Sequence, residues 1–557
     1  MRKLLAAAIT IILLGCLALR PAAASEQEKQ LTEFIKKYET KASVLEKALN
    51  IAEWNAYTSG KKEDYEKMSE ANLAWTTFHS DRNAYAMLKD WKNSGGIGSP
   101  DLKRKLQMLI NAYGPHQFSP DLIKAINDKE TKLQQVFNSY RGKINGKTVT
   151  ERDIYEILEK SKSTSERESA WEAQKGVGEI VAKDLIELVK LRNQGARELG
   201  FANYWEMTVS FSDQNPSEIV EIFKGLAEST DQKFAEYKRE LDAIIAKRVK
   251  KHPQDLKPWD YSNPFFQSEA VGFAPDIEKL FRDRNIPLVA YNFYSGIDLP
   301  LGDTLRNSDL YEKEGKSQHA FCFDIDRSGD SRILMNIRSD EASLSTLLHE
   351  SGHAVYNLNV GKNLPWIYRT QAHTLTTEAS AMFFERYTKN PDWLLKNLGI
   401  SLKKEQKEGM RKQEVLEDLL FCRWTIVMLN FEKGMYENPD ADLNELWWTI
   451  VSKYQRIQKP EGRNKADWAS KIHLVSAPVY YHNYMLAGLA VAQFQHTLGT
   501  KIVKANDWKC FDVSDKKAVG KWFRDNIYRP GAKYDWNTLI KRATGEELTP
   551  HWFAERL

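Results

Sequence analysis

From Ser25 to about Lys250 apolar side chains recur at three- and four-residue spacing with charged residues between them, the pattern of helices with one buried face. Glu26 to Leu49, Lys61 to Trp91 and Glu151 to Leu199 are the clearest stretches, and Gly95-Gly96-Ile97-Gly98 and Asn145-Gly146 interrupt the series. Between His252 and Leu301 the pattern fails. Pro253, Pro258, Pro264, Pro275, Pro287 and Pro300 stand among aromatics, which predicts an ordered, irregular crossing that joins two lobes. His319 to Ile325 and Ile333 to Ile337 flank Asp326-Arg327-Ser328-Gly329-Asp330-Ser331 and read as a hairpin. Helical spacing returns at Asp340 and holds to the end. No internal repeat or low-complexity tract is present. The expected fold is mostly α.

Composition agrees. In 557 residues there are 18 prolines, and the length suits one large domain, here 25–557, of two intimate lobes. Eighty basic against 76 acidic residues leave a net charge of +4, which carries no nucleic-acid footprint and no polybasic membrane face. Residues 1–24 read as a signal peptide: Arg2 and Lys3, an apolar run from Leu4 to Leu19, and Ala22-Ala23-Ala24 before the cut. The run of about 16 residues is thin for a membrane span. Leu13-Leu14-Gly15-Cys16 loosely resembles a lipoprotein-processing site, but the apolar run continues past Cys16. The expectation is an exported protein, periplasmic or secreted, with no transmembrane segment in the mature chain. Cys322, Cys422 and Cys510 then remain, too few for a disulfide framework and in no metal-binding pair, so metal ligands must come from His and carboxylates.

The chemistry concentrates at His349-Glu350-Ser351-Gly352-His353. On a helix, capped in this reading by Ser343 or Ser345, the H-E-x-x-H spacing sets two imidazoles one turn apart on one face. There they can share Zn²⁺, with Glu350 beside them as a general base for the attacking water. Catalytic zinc needs a third protein ligand and an open position. Glu378, on a helix read from Thr374 to Tyr387, is one candidate; Glu385, seven residues on, is the other, as ligand or as a carboxylate behind the ligands.

These residues and their surroundings resemble the angiotensin-converting-enzyme family of zinc metallopeptidases. The resemblance takes in the motif itself, Tyr356, Lys362-Asn363-Leu364-Pro365 and Arg369. Upstream it includes His319-Ala320-Phe321-Cys322-Phe323-Asp324 and, more weakly, Ala52 to Thr58. Downstream it includes Trp447-Trp448, Lys453-Tyr454-Gln455, Lys471-x-His473 and Tyr481-x-x-Tyr484, in family order. It implies a two-lobed helical ellipsoid with a deep central cleft, zinc at its floor, and N-terminal helices that admit only short peptides. It favours Glu378 as the third ligand. It makes His473 and Tyr484 the donors to the oxygen that gains charge. Lys471 and Tyr481 would hold a substrate's C-terminal carboxylate, which sets the distance to the cut and releases dipeptides. His319 and Ala320 would act through an edge strand that pairs with an extended oligopeptide.

The departures are specific. The family's chloride-binding arginines align with Val451 and Asn483, so chloride activation should be weak or absent. The glutamine that helps hold the carboxylate has no secure match, with Tyr261 and Gln267 both nearby. The aspartate behind the zinc histidines aligns with Met382, and Glu385 is the candidate substitute. A thimet-type oligoendopeptidase and a zinc carboxypeptidase share the same metal logic. An exported peptide-binding protein without catalysis would be expected to have lost Glu350 or a ligand, and this chain keeps them.

Overall fold

A computed structural model describes residues 25–275 and 277–557; the signal-peptide reading and Cys16 lie outside them. The chain is mostly helical, with two small antiparallel hairpins. Among the described residues no helix is long and apolar enough to cross a membrane, and Cys322, Cys422 and Cys510 are all free thiols.

The first helix, Glu26–Ser59, begins at a capping box in which Ser25 and Glu28 exchange hydrogen bonds, and ends at Gly60 with φ +66°. A Cβ on Gly60 would fall 2.0 Å from the carbonyl oxygen of Gly315, so glycine lets this helix end press against the loop before His319. The stretch of helical spacing from Lys61 to Trp91 holds two helices, Lys62–His79 and Arg82–Ser94, because Asp81 caps a new start with its side chain. Glu151 to Leu199 likewise divides into Glu151–Lys160 and Thr164–Glu198, the second capped by Ser163. Asn145-Gly146 is more than a break. With φ of +51° and +78° the two residues turn a short hairpin, Gly142–Ile144 against Lys147–Val149.

Apolar side chains of the N-terminal helices (Leu31, Ile35, Leu88, Leu106 and Leu109 among them) form a cluster of their own with Ile367 and Tyr368. Nearly everything else belongs to one larger core. The proline-rich crossing is ordered and contributes Trp259, Tyr261, Phe265 and Phe266 to that core, through short 3-10 turns and the helix Ile286–Gly296. Helix Tyr481–Thr497 is buried on almost every side, as a helix at the centre of a core must be.

Candidate active site

The motif helix is Glu341–Asn359. Its cap is Asp340, whose carboxylate accepts from the Ser343 N–H at 2.7 Å; neither Ser343 nor Ser345 has that role, and the Ser343 hydroxyl instead accepts from the Arg338 N–H. The helix Thr374–Glu385 packs directly on it, and a 3-10 turn then carries the chain through Arg386–Lys389. Gly352 makes the close packing possible, since a Cβ there would lie 2.6 Å from the Cα of Ala381. The Ser380 hydroxyl donates to the Gly352 carbonyl across the same contact.

This packing brings His349, His353 and Glu378 together, with one ligand atom from each within 4.8 Å of the others. The two Nε2 atoms are 3.2 Å apart, and Glu378 Oε2 is 3.6 Å from His349 Nε2. The edge of a tetrahedron with metal bonds of about 2.0 Å is about 3.3 Å, so the spacing and the two-nitrogen, one-carboxylate donor set fit Zn²⁺. Each imidazole is held from behind. His349 Nδ1 donates to Glu385 Oε2 at 2.5 Å, and His353 Nδ1 pairs with the Thr377 hydroxyl at 2.7 Å. Glu385 therefore stands behind His349, where Met382 cannot serve, and Thr377 is a support that spacing did not suggest.

Electrostatics express the same need for a cation. Burial pushes His349 down, but the hydrogen bond and charge of Glu385 prevail and raise it to about 9. Burial and His349 drive His353 well below its ordinary value. Burial also lifts Glu378, and lifts Glu350 to about 7.

A cavity of about 540 Å³ opens over these groups, lined by His349, Glu350, His353, Glu378, Glu385, Met382, Ala320, Cys322 and Tyr484. Its strand wall is shorter than expected: Phe321–Asp324 pairs with Ser331–Leu334, and His319 and Ala320 precede the strand. Ile325 N–H donates to Asp330 O, so by alternation the backbone groups of Ala320 and Cys322 face away from the partner strand. His319 is exposed and does not line the cavity.

Tyr481 links the metal end to the other candidate residues. Its ring centroid lies 6.2 Å from that of Tyr484 and 5.0 Å from that of His473. Burial and the charge of Lys471 lower His473 to about 4, so the ring is neutral. Its Nδ1 is buried without a partner among the described residues. Lys471 is only 7% exposed, boxed by Phe265, Trp424 and Tyr481 with its Nζ 4.9–5.5 Å from their ring centroids. Its Nζ donates to Gln267 Oε1 at 3.1 Å, and among the described residues no carboxylate pairs with it. Burial pushes it down to about 8. Of the two nearby candidates, Gln267 is the one beside Lys471. Tyr261 is buried elsewhere, bound to Lys238 and Asp242.

Of the two positions read as chloride losses, Asn483 accepts a hydrogen bond from Gln214 and Val451 lines a small void of about 20 Å³. Buried Lys175 lines that void too, and burial pushes its ammonium down to about 7.

Residues 25–246 match the family model for angiotensin-converting enzyme, and residues 301–557 match that for peptidase family M3. The angiotensin-converting enzyme of Bos taurus is 22% identical over 93% of this chain, which spans 42% of that protein's length. That of Theromyzon tessulatum is 22% identical over 89% of the chain and 85% of its own length. A mitochondrial intermediate peptidase of Vanderwaltozyma polyspora is 23% identical over 87% of the chain and 73% of its length. The chain thus pairs a His–His–Glu group that could hold a metal with similarity to angiotensin-converting enzymes along most of its length and to peptidase family M3 over residues 301–557.

Proposed function

We propose that the protein is a zinc-dependent peptidyl-dipeptidase that removes C-terminal dipeptides from oligopeptides. The observation that carries this reading is the buried ammonium of Lys471. A buried charge is ordinarily paired. Here it has one amide oxygen and three aromatic faces, so a substrate carboxylate would complete the site.

His349, His353 and Glu378 would hold Zn²⁺, which when bound polarises a carbonyl and acidifies water. Glu350, buried beside the ligands, takes the proton of the attacking water and returns it to the leaving amine. His473 through Nε2–H and Tyr484 through its phenol donate to the oxygen that gains charge. The outward backbone groups of Ala320 and Cys322 pair with the extended peptide, and Lys471, Gln267 and Tyr481 receive its terminal carboxylate. His319, exposed just before Ala320, would extend that edge through its backbone. Residues 1–24 support export of the protein, with a mature start at Ser25 as the expected result of N-terminal sequencing.

The M3 match over 301–557 favours a second reading, an oligoendopeptidase that cuts inside the peptide. One incubation separates the two. The zinc-loaded enzyme is given a short peptide with a free C-terminus and the same peptide amidated, and products are read by mass spectrometry. Dipeptide release from the free acid only, with Lys471→Met raising KM about 10- to 100-fold, is expected. Equal cleavage of both peptides at an internal bond would decide for the endopeptidase.

A further inference from the structure

The segment between His473 and Tyr484 has a strained shape held from beneath. After the one-turn helix His473–Ser476 the chain passes through Ala477 and Pro478 to Val479, whose φ is +56°. A β-branched residue strongly disfavours this left-handed region, and such outliers persist only where the surroundings impose them. Val479 is buried, and its N–H donates at 2.9 Å to Glu432 Oε1, a carboxyl 3% exposed on the helix Lys404–Glu437. On the other side of the bend, Arg192 of the helix Thr164–Glu198 donates to the carbonyls of Leu474 at 2.9 Å and Val475 at 2.8 Å. Arg192 is itself fixed by Glu130 and by the Tyr436 hydroxyl. Neither Glu432 nor Arg192 lines the cavity over the metal group.

We propose that Glu432 and Arg192 are positioning residues: together they clamp the bend 474–479 and thereby set the aim of His473 at one end and Tyr484 at the other. The inference rests on the donor roles assigned to those two side chains above. Both clamping residues sit on long core helices, so the donors inherit the rigidity of the scaffold although the segment that carries them is irregular. An N–H held at 2.9 Å by a buried carboxyl oxygen is a directional constraint, and losing that acceptor would leave the N–H unpaired. At Val479 it faces the residue whose backbone most needs one.

The test compares Glu432→Gln, which keeps an acceptor oxygen, with Glu432→Leu, which removes it, in the zinc-loaded full chain. Glu432→Gln should keep kcat within about threefold. Glu432→Leu should lower kcat about 10- to 100-fold, the scale of a displacement near 1 Å, with KM for a free-acid peptide and zinc content unchanged. Val479→Gly removes the backbone strain, so the loss from Glu432→Leu should shrink to a few-fold in that background. Arg192→Lys, which loses the fork onto the two carbonyls, should cost kcat about tenfold at constant KM and serves if Glu432→Leu does not fold. Equal losses from Glu432→Leu in the native chain and in the Val479→Gly background would overturn the clamp. So would a fall in zinc content that accounts for the lost rate. His473→Ala and Tyr484→Phe are measured alongside. If they leave kcat intact the donor reading fails, and the clamp with it; if they are needed while Glu432 and Arg192 are not, the clamp alone fails.

Discussion

The metal end and the anchor end of the candidate site, the His349–His353–Glu378 group and the Lys471–Gln267 pair, are built on opposite principles. At the metal end all three candidate ligands come from a stretch of 30 residues on two touching helices, and the far side of each imidazole is already satisfied by Glu385 or Thr377. At the anchor end Gln267 and Lys471 meet from 204 positions apart, and among the described residues no carboxylate touches the ammonium, Glu151 acting on it only at longer range. The first end has its supports in place before any substrate arrives. The second stores an unmet electrostatic demand that a carboxylate would fill. A site that binds a permanent cofactor profits from complete support, whereas a site that must release product profits from being incomplete.

The sharpest way to break this comparison is at the metal end. Glu350→Gln keeps the size of the side chain but removes the base, so kcat should fall about 10²- to 10⁴-fold with zinc content still stoichiometric by atomic absorption. Rate and metal lost together would mean that Glu350 supports the ligands instead of acting on water.

The same contrast explains what could be read from the sequence. The H-E-x-x-H helix was legible because its chemistry is a local spacing; Glu378 was one of two carboxylates on the next helix, and only the family resemblance chose it over Glu385. The role of Gly352 was not, since nothing in the spacing says that Ala381 will stand where a Cβ would go. Thr377 was invisible for a similar reason: a hydroxyl behind a histidine has no sequence signature. Lys471 could be named by resemblance, but its partner could not. Tyr261 and Gln267 lie in one irregular segment, and only the packing of that segment turns Gln267 inward and ties Tyr261 to Lys238. The hairpin at Asn145-Gly146 carried a recognisable turn signal that helical periodicity on either side obscured.

A second, intermediate effect sharpens the comparison at the anchor end. Burial lowers Lys471 to about 8, so the ammonium is charged below that pH and neutral above it. A substrate carboxylate stays ionised throughout, and attraction is lost as pH rises through about 8. The ratio kcat/KM for a free-acid peptide should therefore fall on the alkaline side with an apparent pKa near that value. Lys471→Arg keeps its charge to far higher pH and should flatten this limb, at some cost in KM because the guanidinium does not match the aromatic box. An alkaline limb unchanged in Lys471→Arg would assign it to another group.

The smallest expected effect compares the two supports within the metal end. Glu385 gives His349 an anionic partner at 2.5 Å, while Thr377 gives His353 a neutral one at 2.7 Å. A charged acceptor makes the imidazole a stronger electron donor as well as orienting it; a hydroxyl mainly orients. Glu385→Gln should weaken zinc binding about 10- to 100-fold. Thr377→Val, nearly the same shape without the hydroxyl, should weaken it about tenfold or less, the value of one neutral hydrogen bond. Zinc dissociation constants from chelator competition order the two. The reverse order would mean that holding the second histidine in place matters more to the metal than the charge behind the first.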